Sequence, residues 1–124
     1  KESNSPRRSV FGSTLQDVPV RMYVEAWQQK IERNGRMNYS QLSSNKARGD
    51  PLVNVIIRSD GSVEEVLIMR SSGRADIDDA VRRIVHLNAP YAVFPKNIAA
   101  KYDQIEIRRV WGFDEGLKLL EELR

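Results

Sequence analysis

Residues 53–73, VNVIIRSDGSVEEVLIMRSSG, decide how the chain is read. Val53, Val55 and Ile57 alternate with their neighbours, Ser59-Asp60-Gly61-Ser62 supplies a glycine-bearing turn, and Val66 and Ile68 resume the alternation. That period of two on either side of a turn predicts a β-hairpin. Leu52, Ile56, Leu67 and Met69 make the other face partly apolar, which calls for a cover, and a preceding helix over Val18–Arg33 is the expected one. The hairpin carries no group suited to catalysis.

On the C-terminal side, SSGRADIDDAVRRIVHLN predicts a helix. Asp76 can cap it, Asp78 and Asp79 sit in its first turn, and Arg82, Arg83 and His86 lie toward its end, the charge order the helix dipole favours. Ile77, Ala80, Val81, Ile84 and Leu87 form its expected buried stripe. Pro90 and Pro95 forbid its continuation. A last strand follows, with Ile105, Ile107, Trp111 and Phe113 on one parity, interrupted by Arg109, and Gln104, Glu106 and Arg108 on the other. EGLKLLEELR at the C-terminus has helical spacing at Leu117, Leu120 and Leu123, and reads either as a short helix or as a non-native appendage.

Before the hairpin, Val20, Tyr23, Val24, Trp27 and Ile31 fall on one helical stripe, started by Asp17 and Pro19 and expected to stop at Asn34-Gly35, since both residues tolerate a left-handed backbone. Arg36 to Asp50 lacks either period and reads as a long connection, and long ordered loops are more often functional. The expected organisation is a tail or linker end over 1–16, one domain over 17–113 and a terminal segment over 114–124. The expected fold class is α+β in the order α-β-β-α-β: a helix, a hairpin, a crossing helix and a C-terminal edge strand whose outer backbone is unpaired.

Composition narrows the function. The chain has 124 residues, 40% hydrophobic and 30% charged, enough for one modest core. No stretch approaches the roughly 20 apolar residues of a membrane span. The N-terminal KESNSPRRS has neither an initiator Met nor an apolar signal core, so the chain is expected to be a piece of something longer. Residues 1–50 hold nine Lys/Arg against five Asp/Glu, while 51–124 hold eleven against twelve, so the basicity belongs to the first part. Those cations are scattered along a tail and a helix, which fits a solvated surface better than a nucleic-acid footprint. One His and no Cys leave no metal-ligand set, so no cofactor is expected. Asp78 and Asp79, as helix neighbours, point in different directions, and Ser71-Ser72-Gly73 has no oriented base, so an enzyme is not expected.

The ordered set Tyr39, Val53-Val55-Ile57, Asp60 to Val63, Val66-Ile68, Ser71 to Gly73, Ile77-Asp78-Ala80, Pro90-Tyr91 with Phe94-Pro95, and Ile105 to Phe113 resembles the C-terminal domain of the TonB family. The resemblance covers Tyr39 to Phe113. It departs where the family shows Tyr-Pro and this chain has Tyr39-Ser40, and its helix over Val18–Arg33 is longer than the usual lead-in, which marks a divergent branch. The resemblance implies a periplasmic domain attached to the inner membrane by an N-terminal anchor not present in this chain. Through that anchor it implies association with a proton-driven motor of the ExbB-ExbD type, and it implies that the domain grips an outer-membrane TonB-dependent transporter or another envelope protein. A sheet with a free edge can take an extended peptide as an added strand. The expected partner-binding residues are Ile105, Glu106, Ile107, Arg108, Arg109, Val110 and Trp111, with Arg36, Met37, Asn38 and Tyr39 as a secondary contact. A TolA-like envelope scaffold, or a secretion- or pilus-associated binding domain, would use the same edge. A nucleic-acid-binding domain is the weaker reading, and a homodimer through the edge is allowed.

Overall fold

The computed structural model describes residues 8–12, 16–39, 50–113 and 116–122. In chain order the elements are β1 (Ser9–Phe11), α1 (Val18–Tyr39), β2 (Leu52–Arg58), β3 (Val63–Arg70), α2 (Ala75–Leu87), α3 (Lys96–Ala99), β4 (Gln104–Gly112) and β5 (Lys118–Leu120). The fold class is α+β, with a mixed five-stranded sheet in the order β1-β4-β2-β3 and β5 added to β4. Among the described residues no helix is long and apolar enough to cross a membrane, and no group of His, Asp or Glu could hold a metal ion.

The hairpin forms as its period dictates, with β2 antiparallel to β3 and Val55 opposite Val66. Its turn is closed by the Ser62 hydroxyl and N–H, which donate to Asp60 Oδ1 at 2.6 and 2.9 Å and hold that carboxyl below its ordinary range. On its other side β2 pairs antiparallel with β4, Val55 opposite Ile107. Val53, Val55, Ile57, Ile105, Ile107 and Trp111 therefore share one sheet face. There they meet Val20, Val24, Trp27 and Ile31 of α1 and Ile77, Val81, Ile84 and Val85 of α2 in a single core. Both helices lie on this face, so α1 does not cover the opposite face of Leu52, Asn54, Ile56 and Leu67, as the sequence had suggested.

Four further expectations are corrected. First, α1 runs through Asn34-Gly35 to Tyr39. The glycine is there for space: a Cβ on Gly35 would stand 2.2 Å from Leu117 Cδ2 and 3.0 Å from Leu117 Cβ. Secondly, the C-terminal segment at Lys118–Leu120 is a strand, which buries Leu117 and Leu119 against α1 and leaves Leu120 half exposed. Thirdly, the stripe of α2 turns to Val85, and Leu87 is exposed. Finally, α2 begins at Ala75 with Arg74 at its N-cap and no side-chain cap; Asp76 instead accepts from the Ile77 N–H at 2.9 Å, and Asp78 from the Ser72 N–H at 3.0 Å and from the Ser71 hydroxyl.

The Gly35 contact makes a prediction. Gly35→Ala gains about 1 kcal/mol of helix propensity, yet it forces Leu117 aside. Global stability is expected to change by less than about 1 kcal/mol while β5 loosens. Amide exchange at Leu120 should accelerate about tenfold or more, with core amides such as Val55 unchanged. Unchanged protection at Leu120 would show that Gly35 does not seat β5.

Candidate functional site

The last strand, where the site is expected, is not a bare edge. β2 takes the inner side of β4 along Gln104–Val110. On the outer side β1 runs parallel to it at Gln104, Ile105 and Glu106, and β5 runs antiparallel to it at Val110, Trp111 and Gly112. The expectation that the outer backbone of this strand is unpaired is thereby overturned at both ends. Part of the segment expected to be a tail, Ser9–Phe11, joins the sheet. Among the described residues neither short strand pairs with residues 107–109, so the outer edge is interrupted there.

Backbone hydrogen bonds fix which groups face the break. Trp111 N–H donates to Pro51 O on the β2 side at 2.9 Å, whereas Gln104 N–H donates outward to Arg8 O at 3.2 Å and Glu106 O accepts outward from Gly12 N–H at 2.8 Å. Strand alternation then turns the backbone N–H and C=O of Arg108 outward, between the ends of β1 and β5.

Side chains at the edge divide by parity. Ile105, Ile107 and Trp111 are buried in the core and cannot touch a partner through their side chains. Arg109 is on their face and is only 5% exposed. Its Nη1 donates to Arg108 O at 2.8 Å and its Nε to Gln28 Oε1 of α1 at 3.3 Å. Burial lowers its pKa from the ordinary arginine value, offset in part by Glu121. Arg109 therefore anchors β4 to the helix layer, although the sequence counted it among the partner-binding residues.

Glu106 and Arg108 point to the opposite, helix-free face. Glu106 accepts from Asn54 Nδ2 at 2.9 Å and from Ser9 Oγ at 2.7 Å, tying β4 to both neighbours. Arg108 reaches across the break: its guanidinium carbon lies 5.9 Å from the centre of the Phe11 ring, and Nη1 is 3.9 Å from Glu122. Arg108 Nε and, directly opposite in register, Asn54 Oδ1 are buried without a hydrogen-bond partner. An unsatisfied buried donor beside an interrupted strand edge is an unusual pair of features to leave together.

Arg36, Met37, Asn38 and Tyr39 form the last turn of α1, not a loop, and are not part of the β4 edge. Of the expected functional connection over Arg36–Asp50, residues 40–49 lie outside the described residues. Sequence reasoning missed β1 and β5. Ser9-Val10-Phe11 carries the only local signal for the first, a three-residue run with two β-favouring side chains.

The profile of the family described as Gram-negative bacterial TonB protein C-terminal matches residues 30–113. No curated protein and no solved structure matches the chain. The matched span starts inside α1 and ends one residue after β4, so it contains the β2-β3-α2-β4 unit and excludes β1 and β5. Covering well over half of the sequence, it shows that this chain belongs to the family of TonB protein C-terminal domains.

Proposed function

We propose that this TonB-like periplasmic domain accepts an extended segment of an outer-membrane transporter as an added strand on the outer side of β4. In this reading it passes on force delivered by a proton-driven inner-membrane motor of the ExbB-ExbD type, to which an N-terminal anchor connects it. The observation that carries the reading is the interruption of that edge at 107–109, with the outward Arg108 backbone and the unsatisfied Arg108 Nε beside it. Backbone pairing supplies grip, and the side chains at alternate positions supply choice. Each added hydrogen bond contributes about 0.5 to 1.5 kcal/mol net, so a short segment is held firmly enough to be pulled yet can be released.

β3 presents the competing edge, because among the described residues it pairs only with β2. Register shifts between Leu52 and Val53 and between Ile56 and Ile57 distort the ladder that would support an addition there, and Glu64, Glu65 and Arg70 line that strand. Bulges and charges of this kind discourage pairing at an edge.

The test is titration of the isotope-labelled domain with a transporter-derived peptide. Amide shifts are expected to centre on Glu106 and Arg108, and new exchange protection on Arg108, whose outward N–H neither β1 nor β5 pairs. Protection confined to Val63–Arg70 would move the site to β3 and refute the assignment.

A further inference from the structure

β1 already occupies the position of an added strand, and its own contacts state what that position accepts. Arg8 N–H donates to Asp103 Oδ2 at 2.8 Å, and its guanidinium donates to Asp103 Oδ1 at 2.9 Å and to Ala100 O, just past α3, at 2.8 Å. The ion pair with Asp103 raises the Arg8 pKa further. Next, Ser9 donates to Glu106 from the helix-free face. Val10 turns the other way and packs on the core, while Phe11 is half exposed. At Gly12 a Cβ would stand 2.7 Å from Val24 Cγ2, so the chain passes α1 only because that residue has no side chain. Asp103, Glu106, the core gap under Val10 and the close approach to Val24 thus form four successive subsites along β4.

From this geometry we propose that β1 is a self-supplied occupant of the partner site. An incoming segment runs parallel to β4, displaces β1, and carries the same pattern: a cationic residue, a small hydroxyl residue, an aliphatic residue, a half-exposed position beside the Arg108 guanidinium and a glycine. The proposal rests on the β4 reading of the function and adds to it the orientation, the chemistry of the segment and a gate. The gate follows from the length of the tether. Only five residues separate Gly12 from α1, and a short linker presents its segment at an effective concentration of the order of millimolar. A partner's apparent affinity is reduced by the fraction of molecules in which β1 is off the sheet. β1 is only three residues long and lies outside the family-matched span, so the β2-β3-α2-β4 unit does not include it.

The test uses the full chain and a labelled synthetic peptide of residues 6–14, PRRSVFGST. Strand alternation faces the Val10 N–H to β4, so Val10→Pro removes a pairing donor from β1 alone. Arg8→Ala opens the same gate from an exposed side chain, without touching the core, and carries the comparison if Val10→Pro lowers the stability of the whole domain. Both variants are expected to bind the peptide at least about tenfold more tightly than the wild type, as the closed fraction is relieved. Peptides with alanine at the second arginine or valine at the glycine should lose about tenfold of that gain. A folded variant that binds the peptide no better than a scrambled one overturns the proposal. So does equal binding by wild type and variants. If a transporter-derived peptide of another pattern still protects Glu106 and Arg108 in that variant, strand addition stands and only the β1 template fails. If no peptide protects them, strand addition to β4 fails as well. Concentration-dependent dimers of the wild type that disappear in Val10→Pro would make a second copy the occupant, and would overturn the partner-segment assignment.

Discussion

Gly61→Ala is expected to destabilise the domain by roughly 2 to 5 kcal/mol, the sum of a left-handed backbone penalty of about 1–2 and an overpacking cost of about 1–3. Gly61 has φ +88°, and a Cβ there would lie 2.1 Å from the backbone oxygen of Tyr91 and 2.9 Å from its carbonyl carbon. Backbone atoms cannot swing aside as a side-chain tip can. The approach is close because the hairpin turn docks the chain after α2: Tyr91 N–H donates to Gly61 O at 2.8 Å and Phe94 N–H donates to Ser59 O at 2.9 Å. Ser59 N–H in turn donates to Asp103 O at 3.0 Å, at the entrance to β4. The turn therefore sets where the last strand begins. Gly73→Ala is the control, since Gly73 has φ +85° but is exposed, and it reports the conformational cost without the Tyr91 contact. Thermal unfolding should show a loss of about 4 °C or more per kcal/mol for a domain of this size. Gly61→Ala and Gly73→Ala melting together would show that the Tyr91 contact contributes nothing.

Elements with a sustained period were legible. β2, β3, α2 and β4 each repeat their apolar positions several times, so the hairpin, the crossing helix and the inward face of Ile105, Ile107 and Trp111 could be read before any contact was known. What escaped depends on residues far apart in the chain. Gly35 looks like a helix stop when read locally, but its neighbour across space is Leu117, and the missing side chain is what lets that leucine in. Leu117, Leu120 and Leu123 have helical spacing, yet the strand uses Leu117 and Leu119, and a segment this short satisfies both periods. β1 has three residues, and its anchor Arg8 pairs with Asp103, 95 positions away. No local pattern can carry that pairing. The result matters for the site: the β4 strand was found from its alternation, but the two strands that cover its ends were not, so an interrupted edge was read as an open one.

That interruption decides the second large effect, Arg108→Pro, which is expected to leave the domain folded and to weaken binding of the partner segment by about a hundredfold, through one lost backbone bond and a ring that obstructs its neighbours on the added strand. Arg108 has its N–H on the outer side of β4, where neither β1 nor β5 pairs, so proline there removes no bond of the β2-β4 ladder. Ile107→Pro is the opposite case. Its N–H faces β2 and its side chain is fully buried, so that substitution should abolish folding. Glu106→Pro is intermediate, because the outward N–H it removes faces β1, and it should release β1 as well as spoil the site. Arg108→Ala separates backbone from side chain: it loses the contacts with Phe11 and Glu122 but keeps the donor, and is expected to weaken binding by about tenfold or less. The measurement is peptide binding by anisotropy, alongside circular dichroism to establish that each variant is folded. Wild-type affinity in a folded Arg108→Pro protein would mean that no strand crosses the 107–109 break, and the partner would then have to be sought along β3.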